Sequence, residues 1–181
     1  NAVEAALFLQ NESVFFNSLK TNIGGRLFYF NDTSQLTFEP RVSLSYELMN
    51  GFYIKGAAAV ANQYLHLITR NDIALPSDLW YPATANVQPS RSTQYVFGLD
   101  KYFDEESYQS SVEVYYRDMK NIYEFKNSPE INPLNNSIED QFVKGVGEAY
   151  GMELFFQKRE GNLIGWIGYT LSWTKRKFDE L

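Results

Sequence analysis

The sequence predicts an all-β fold, a segment of an antiparallel transmembrane β-barrel with about eight strands. The main observation is an alternation of apolar and polar side chains from Gln35 to Leu48, which places the two sets on opposite faces of one strand. The apolar face carries Leu36, Phe38, Pro40, Val42, Leu44, Tyr46 and Leu48. The polar face carries Gln35, Thr37, Glu39, Arg41, Ser43, Ser45 and Glu47.

The two faces of this strand require different solvents. Burial in a dry core is excluded for the polar face, because Glu39, Arg41 and Glu47 would lose their hydration. The apolar face carries no charge over a length that can cross a hydrocarbon layer. Transmembrane β-strands need about 9–11 tilted residues, apolar outward and polar inward. The strand is therefore expected to face lipid on one side and a lumen on the other.

Seven more segments repeat the alternation and complete the predicted set of eight strands. Their outward rows are proposed within residues 3–9, 19–29, 52–60, 95–99, 108–116, 150–156 and 163–173. The side chains expected to face the lumen or a plug are Glu39, Arg41, Glu113, Arg117 and Glu153. No stretch has a clear 3.6-residue period, so no helix longer than a turn or two is expected.

The connections between the predicted strands alternate in length, except that the turn from Asn31 to Ser34 is short although it falls on the long-loop side. Short turns are expected at Met49–Gly51, Asp104–Glu106 and Glu160–Asn162, whereas long connections cover about residues 64–92 and 126–146. Outer-membrane barrels alternate short periplasmic turns with longer extracellular loops. We therefore expect residues 1–181 to form part of one barrel domain, with both long loops outside the cell.

Composition supports this interpretation and excludes several other classes of protein. The chain contains 14 Phe, 13 Tyr and 3 Trp in 181 residues, and aromatic side chains form the interfacial girdles of membrane barrels. It has no cysteine, which excludes disulfides and thiolate sites. The formal net charge of −6, without a basic stripe, argues against nucleic-acid binding. No signal peptide is recognisable, and the chain is interpreted as a piece of a longer protein.

Few residues suggest chemistry, and we expect no enzyme, no metal site and no cofactor. The single histidine, His66, lies among apolar residues, where packing or loop anchoring is favoured over catalysis. The candidates for ligand binding lie in the longer loop and are Tyr64, His66, Trp80 and Tyr81. For Trp80 and Tyr81, anchoring of the loop on the barrel rim is favoured over stacking on a ligand. The inward residues Glu39 and Arg41 could bind a plug or channel water, but a structural pair between the two is favoured.

Several segments resemble TonB-dependent outer-membrane receptors of the Bacteroidetes type. The matching segments are Gln63-Tyr64-Leu65-His66-Leu67, Pro76-Ser77-Asp78-Leu79-Trp80-Tyr81-Pro82, Gly147-Glu148-Ala149-Tyr150-Gly151-Met152-Glu153 and Gly165-Trp166-Ile167-Gly168-Tyr169-Thr170-Leu171-Ser172-Trp173-Thr174. The stretch Phe38-Glu39-Pro40-Arg41-Val42-Ser43 also looks like a strand start that follows an extracellular loop in such barrels. The resemblance extends over essentially the whole chain.

This resemblance implies a Gram-negative outer-membrane receptor that captures a nutrient and takes it up with coupled energy. It implies a barrel of about 22 strands, closed by a plug that these 181 residues do not contain. The implied partners are membrane lipid, a TonB-type energy-coupling protein acting through the plug, a small-molecule, peptide or glycan ligand, and a surface lipoprotein. Three alternatives remain: a complete eight-stranded barrel, a barrel enzyme with acids and a base at its mouth, and a soluble surface-binding β-domain or sandwich.

Overall fold

The computed structural model describes residues 3–33, 35–69, 79–126 and 137–178, without the side chain of Gln35. Within these ranges the chain forms ten strands. They are β1 (Glu4–Phe15), β2 (Leu19–Phe30), β3 (Gln35–Met49), β4 (Phe52–Gln63), β5 (Leu65–Ile68), β6 (Leu79–Pro82), β7 (Ser90–Phe103), β8 (Tyr108–Phe125), β9 (Phe142–Lys158) and β10 (Gly165–Phe178). The first three residues of the matching segment that runs from Pro76 to Pro82, and parts of both predicted loops, lie outside the described residues.

Eight of these strands form one antiparallel sheet, in the order β1-β2-β3-β4-β7-β8-β9-β10. The all-β antiparallel prediction and the expected eight sheet strands are confirmed. Strands that are neighbours in this sheet also follow one another along the chain, except that β5 and β6 intervene between β4 and β7. These two short strands form a separate hairpin. Within the described residues, no ladder joins β1 to β10, so the sheet is open at both edges.

Four short turns lie at the same end of the sheet, which we call the short-turn end. Three were predicted, and Gly51 (φ +69°) and Gly161 (φ +102°) supply left-handed backbone in two of them. The fourth joins β1 to β2 through Phe16 (φ +51°) and Asn17 (φ +58°). It was missed because polar residues occupy both faces of β1 before the turn, which hides the alternation.

The opposite end, which we call the long-loop end, contains structure that the sequence did not predict. The β5–β6 hairpin lies inside the first long connection. The second ends earlier than expected, because β9 begins at Phe142 after a short 3-10 helix, Ile138–Gln141. Ser137 caps this helix by accepting from the Glu139 backbone N–H at 3.4 Å. No helix in the described ranges is long and apolar enough to cross a membrane.

The outer face of the sheet carries an exposed apolar band with aromatic residues along one boundary. Tyr95, Tyr116, Tyr150 and Trp173 are direct cross-strand neighbours on β7, β8, β9 and β10. The rings of Tyr150 and Trp173 stack at 5.5 Å. Toward the long loops, the next outward row is polar and charged. It consists of Thr93, Asp118, Glu148 and Lys175.

The other boundary of the band lies near the short turns. Phe103 and Tyr108 stack there at 5.5 Å, and the Lys158 ammonium lies 5.4 Å from the Tyr108 ring centre. Lys101 donates to the Asn50 carbonyl oxygen at 2.9 Å. Between the two boundaries the outward residues of β8 are Ser110, Val112 and Val114, without a charge. The outer face is therefore apolar across the middle and wettable at both ends.

Candidate functional site

The β5–β6 hairpin is fixed to the long-loop end of the sheet through Tyr64. This residue follows β4 directly and is 7% exposed. Its ring lies 4.4 Å from Phe28 and 5.5 Å from Phe30 on β2, and its hydroxyl hydrogen-bonds to the Thr37 hydroxyl. Burial raises the pKa of Tyr64 above its ordinary value. The geometry makes Tyr64 a packing residue of the rim.

His66 is buried on the same face of the hairpin and is 4% exposed. Its Nδ1 lies 3.2 Å from the Ser90 hydroxyl oxygen, and its ring meets Tyr123 edge-on at 5.1 Å. Burial lowers the pKa of His66 below 6.5 and keeps the imidazole neutral at neutral pH. No group of three or more His, Cys, Asp or Glu residues suited to a metal ion occurs among the described residues.

One carboxylate ties the first long connection to the second. Glu139 Oε1 accepts hydrogen bonds from the Tyr81 and Thr84 hydroxyls, each at 2.8 Å, while its Oε2 accepts from Asn86 Nδ2 at 2.8 Å. These bonds, that from Asn86 foremost, lower the pKa of Glu139. The Tyr81 ring also packs edge-on against Phe142 at 5.1 Å. We call Tyr81, Thr84, Asn86 and Glu139 the loop clamp.

The hairpin has a second, open face. Leu65 and Leu67 point away from the buried row of Tyr64 and His66, and Trp80 lies directly opposite Leu67 in the ladder. Trp80 is 59% exposed. Of the four aromatic ligand-binding candidates in this loop, Trp80 alone presents most of its side chain to solvent, whereas Tyr64, His66 and Tyr81 support the hairpin.

The inner face near the long loops holds an ion pair different from the one considered in the sequence. Glu39 is 3% exposed and pairs with Arg26, its direct neighbour on β2, at 3.6 Å. It also accepts from the backbone and side-chain nitrogens of Asn62, at 2.9 and 3.1 Å. The expected pairing of Glu39 with Arg41 is therefore wrong, because Arg26 lies directly across the ladder.

The inner face near the short turns carries mainly acids. Lys55 pairs with the buried Asp100. Glu113 and Glu153 are direct cross-strand neighbours on β8 and β9, an arrangement of like charges that destabilises a sheet. A recess of about 400 Å³ lies on this wall, bordered by Lys55 and Glu113. The expected inward side chains thus lie on one face, opposite the apolar band.

Charge is therefore segregated along the inner face. The half nearer the long loops carries Arg26, Arg41, Arg117 and Arg176 together with the acids Glu4, Glu39 and Glu124. The half nearer the short turns carries Glu12, Lys20, Glu47, Lys55, Asp100, Glu113 and Glu153. The first half has a net positive charge and the second a net negative charge. Individual strands in the sequence do not reveal this, because it depends on the register of all eight.

Comparison with known proteins gives one family match over nearly the whole chain. The family model described as "TonB dependent receptor-like, beta-barrel" matches residues 1–180. No curated protein sequence matches the chain.

Several solved structures share the fold at low sequence identity. The siderophore receptor PirA from Pseudomonas aeruginosa is 18% identical, with a TM-score of 0.70, over 98% of this chain and 35% of that one. The ferripyoverdine receptor of the outer membrane of the same organism is 15% identical, with a TM-score of 0.71, over 98% and 23%. The RagAB peptide transporter is 12% identical, with a TM-score of 0.68, over 99% and 22%. The chain thus spans about a quarter to a third of their lengths.

Proposed function

Because this chain belongs to the TonB-dependent receptor-like β-barrel family, we propose that it is a wall segment of a receptor that imports a nutrient across the outer membrane. Proteins of this family are outer-membrane receptors and transporters of Gram-negative bacteria rather than enzymes. The proposal places this chain in the same membrane, as part of one barrel domain that includes all 181 residues and continues beyond them.

The observation that carries the proposal is the contrast between the two faces of the open sheet. The outer face is exposed and apolar between the aromatic row ending in Trp173 and the aromatic residues near Tyr108. Lys101 is the one charged outward side chain between these rows in the described sheet, and it donates to the Asn50 carbonyl oxygen beside a short turn. A soluble sandwich would cover such a face with a second layer, and the described residues contain none. Lipid is the solvent that this face fits, because an apolar band between aromatic girdles is the outward pattern of membrane barrels.

The proposed transport cycle has no covalent step. The long loops, with Trp80 as the exposed aromatic contact, first hold the ligand outside the cell. The polar inner wall and a plug, supplied by another part of the receptor, then receive it. A TonB-type partner in the periplasm uses coupled energy to rearrange the plug and release the ligand inward. The motif resemblance supports the Bacteroidetes type, in which a surface lipoprotein is the further proposed partner.

The test is made on the full-length receptor, expressed with an epitope tag in its own host. We expect the tagged protein in the outer-membrane fraction, with a folded band that shifts on heating. We also expect chemical cross-linking from the periplasm to the energy-coupling protein. A matched strain lacking the energy-coupling gene controls for non-specific cross-linking. Recovery in the soluble fraction, or a barrel that never cross-links, would contradict the proposal.

The complete eight-stranded barrel is the alternative that the open edges weaken. A closed barrel requires its first and last strands to pair, and β1 and β10 have no common ladder in the described part of the chain.

A further inference from the structure

A second recess on the inner wall lies close to the long loops. It has a volume of about 300 Å³ and crosses from the end of β4 over β7 and β8. The polar side chains on its border include Gln63, Ser90, Ser92, Arg117 and Arg176. No aspartate or glutamate is among the described residues that border it. The recess thus combines guanidinium, hydroxyl and amide groups, without a carboxylate on its described border. The Ser90 hydroxyl and the Gln63 side-chain nitrogen already donate to the Asn121 and Leu65 carbonyl oxygens, at 2.6 and 2.7 Å.

The position of Arg117 in this recess is fixed by its neighbour on β7. Its Nε and Nη2 donate to Gln94 Oε1 at 3.1 and 2.6 Å. A guanidinium has five N–H donors in a planar fork, so three remain for another acceptor. Gln94 is neutral and leaves the positive charge of Arg117 uncompensated. The fork is therefore pre-oriented on the wall and still able to bind an anion.

Two further guanidinium groups lie on the wall near Arg117, those of Arg41 and Arg176. Arg41 lies in the same cross-strand row, which runs from Arg41 through Ala59 and Gln94 to Arg117. Arg176 forms part of the recess and pairs with Glu124 at 3.7 Å. The Glu124 side chain is only 5% exposed, whereas that of Arg176 is 44% exposed, so the cation is the partner presented to the lumen.

We propose that this recess binds an anionic group, a carboxylate or a phosphate, through Arg117 with Arg176 and Ser92. Arginine is suited to both groups because its two parallel N–H bonds match their paired oxygens. The group belongs either to the imported ligand or to another segment of the same receptor that enters the lumen. The inference rests on the proposed transport function, because only a lumen open to ligand or plug makes this wall a binding surface.

The experiment uses the full-length receptor in detergent, with tricarballylate as the probe and its uncharged triamide as the control ligand. Isothermal titration measures binding to the wild type and to Arg117→Gln, Arg117→Lys and Arg159→Gln. Arg159 is the matched control, since it too donates to glutamine side chains but lies at the short-turn end. We expect at least tenfold weaker binding for Arg117→Gln, partial recovery for Arg117→Lys, and a change below twofold for Arg159→Gln.

The outcomes separate the two sources of the anion. Probe binding that depends on Arg117 assigns the recess to a ligand. A second outcome is that the wild type binds no probe, and that Arg117→Gln, but not the control Arg159→Gln, lowers the temperature at which the folded band is lost. In that case a carboxylate of the receptor occupies the recess. Equal probe binding by wild type and Arg117→Gln, equal binding of the triamide, or no effect on either measurement would overturn the inference. Cross-linking of the same preparations to the energy-coupling protein shows separately whether the proposed function stands.

Discussion

The Tyr81 hydroxyl donates to Glu139 Oε1 at 2.8 Å and so joins the two long connections through residues that are 58 positions apart in the chain. Glu139 also binds Thr84 and Asn86, while the buried face of the hairpin packs on Tyr123 and Phe142. The first long connection is therefore held by the loop clamp and by the packing of the hairpin on Tyr123 and Phe142. The exposed Trp80 depends on both for its position.

Removal of the clamp should loosen the hairpin without unfolding the barrel. For Glu139→Ala we expect amide hydrogen exchange at Leu79, Trp80 and Tyr81 to accelerate roughly 5- to 30-fold, which corresponds to a loss of about 1–2 kcal/mol. Exchange within β9 at Glu153 and Leu154 should not change. Glu160→Ala, at an exposed position of a short turn, is the matched control. Unchanged exchange at the hairpin in Glu139→Ala would show that its packing on Tyr123 and Phe142 alone holds it.

The same clamp should depend on pH with a defined sign. Hydrogen bonds lower the folded-state pKa of Glu139 below its ordinary value of 4.5. A carboxyl group with a lowered folded pKa contributes stability that is complete above its unfolded pKa and is lost as pH falls through the folded pKa. We therefore expect the hairpin to stay protected down to about pH 5 and to open below the lowered pKa. In Glu139→Gln this acid-induced increase in hydrogen exchange should be absent, whereas its persistence would assign the opening to another group.

The proposed orientation predicts which end of the sheet faces the outside of the cell. The 181 residues contain no cysteine, so single cysteines can be placed where the structure shows exposed side chains. Ala85→Cys in the first long connection should react with a membrane-impermeant maleimide on intact cells. Asn50→Cys in a short turn should react only after the outer membrane is opened. Ala85 is preferred to Ala83, which is 0% exposed. The reverse pattern of labelling would invert the orientation.

The assignment of the two faces can be tested by arginine substitutions in the full-length receptor. Val112 and Leu44 lie on the outer face, whereas Ser111 and Ser43 lie on the inner face one residue away. Arginine at the lipid midplane costs roughly 2–4 kcal/mol. We therefore expect Val112→Arg and Leu44→Arg to reduce the folded, heat-modifiable band sharply. Ser111→Arg and Ser43→Arg are the matched controls and should fold nearly normally.

Spin labels distinguish lipid from a buried protein core at the same outward positions, since arginine would also disrupt a soluble sandwich. Labels at positions 44 and 112 should be broadened by lipid-soluble oxygen and protected from an aqueous nickel complex. Protection from both reagents at both positions would indicate a packed protein interior and would contradict the membrane assignment.

The open edges predict how the 181-residue segment behaves when it is expressed alone. β1 and β10 each have one ladder partner in the described chain, and an unsatisfied backbone group in hydrocarbon costs several kcal/mol. We expect the isolated segment to associate through these edges in detergent and to be cleaved by protease. The full-length receptor is the control. A monodisperse, protease-resistant monomer would instead favour a complete eight-stranded barrel.

Alternation alone was sufficient to predict the eight sheet strands and the direction of their side chains, because a period of two is a local property of an extended chain. Composition and turn chemistry added the girdles and three of the four short turns. The β1–β2 turn was not predictable in this way. Gln10, Asn11, Glu12 and Ser13 place polar side chains on both faces, and only pairing with β2 keeps this stretch extended.

The tertiary structure decided what depends on register between distant strands. It replaced the expected pairing of Glu39 and Arg41 by that of Glu39 and Arg26, because direct cross-strand neighbours lie closer than residues two apart on one strand. It also formed the β5–β6 hairpin from two four-residue strands, which are too short to give a periodic signal. The segregation of charge along the wall follows from the same registers, since no strand alone determines which side chains share a level in the lumen.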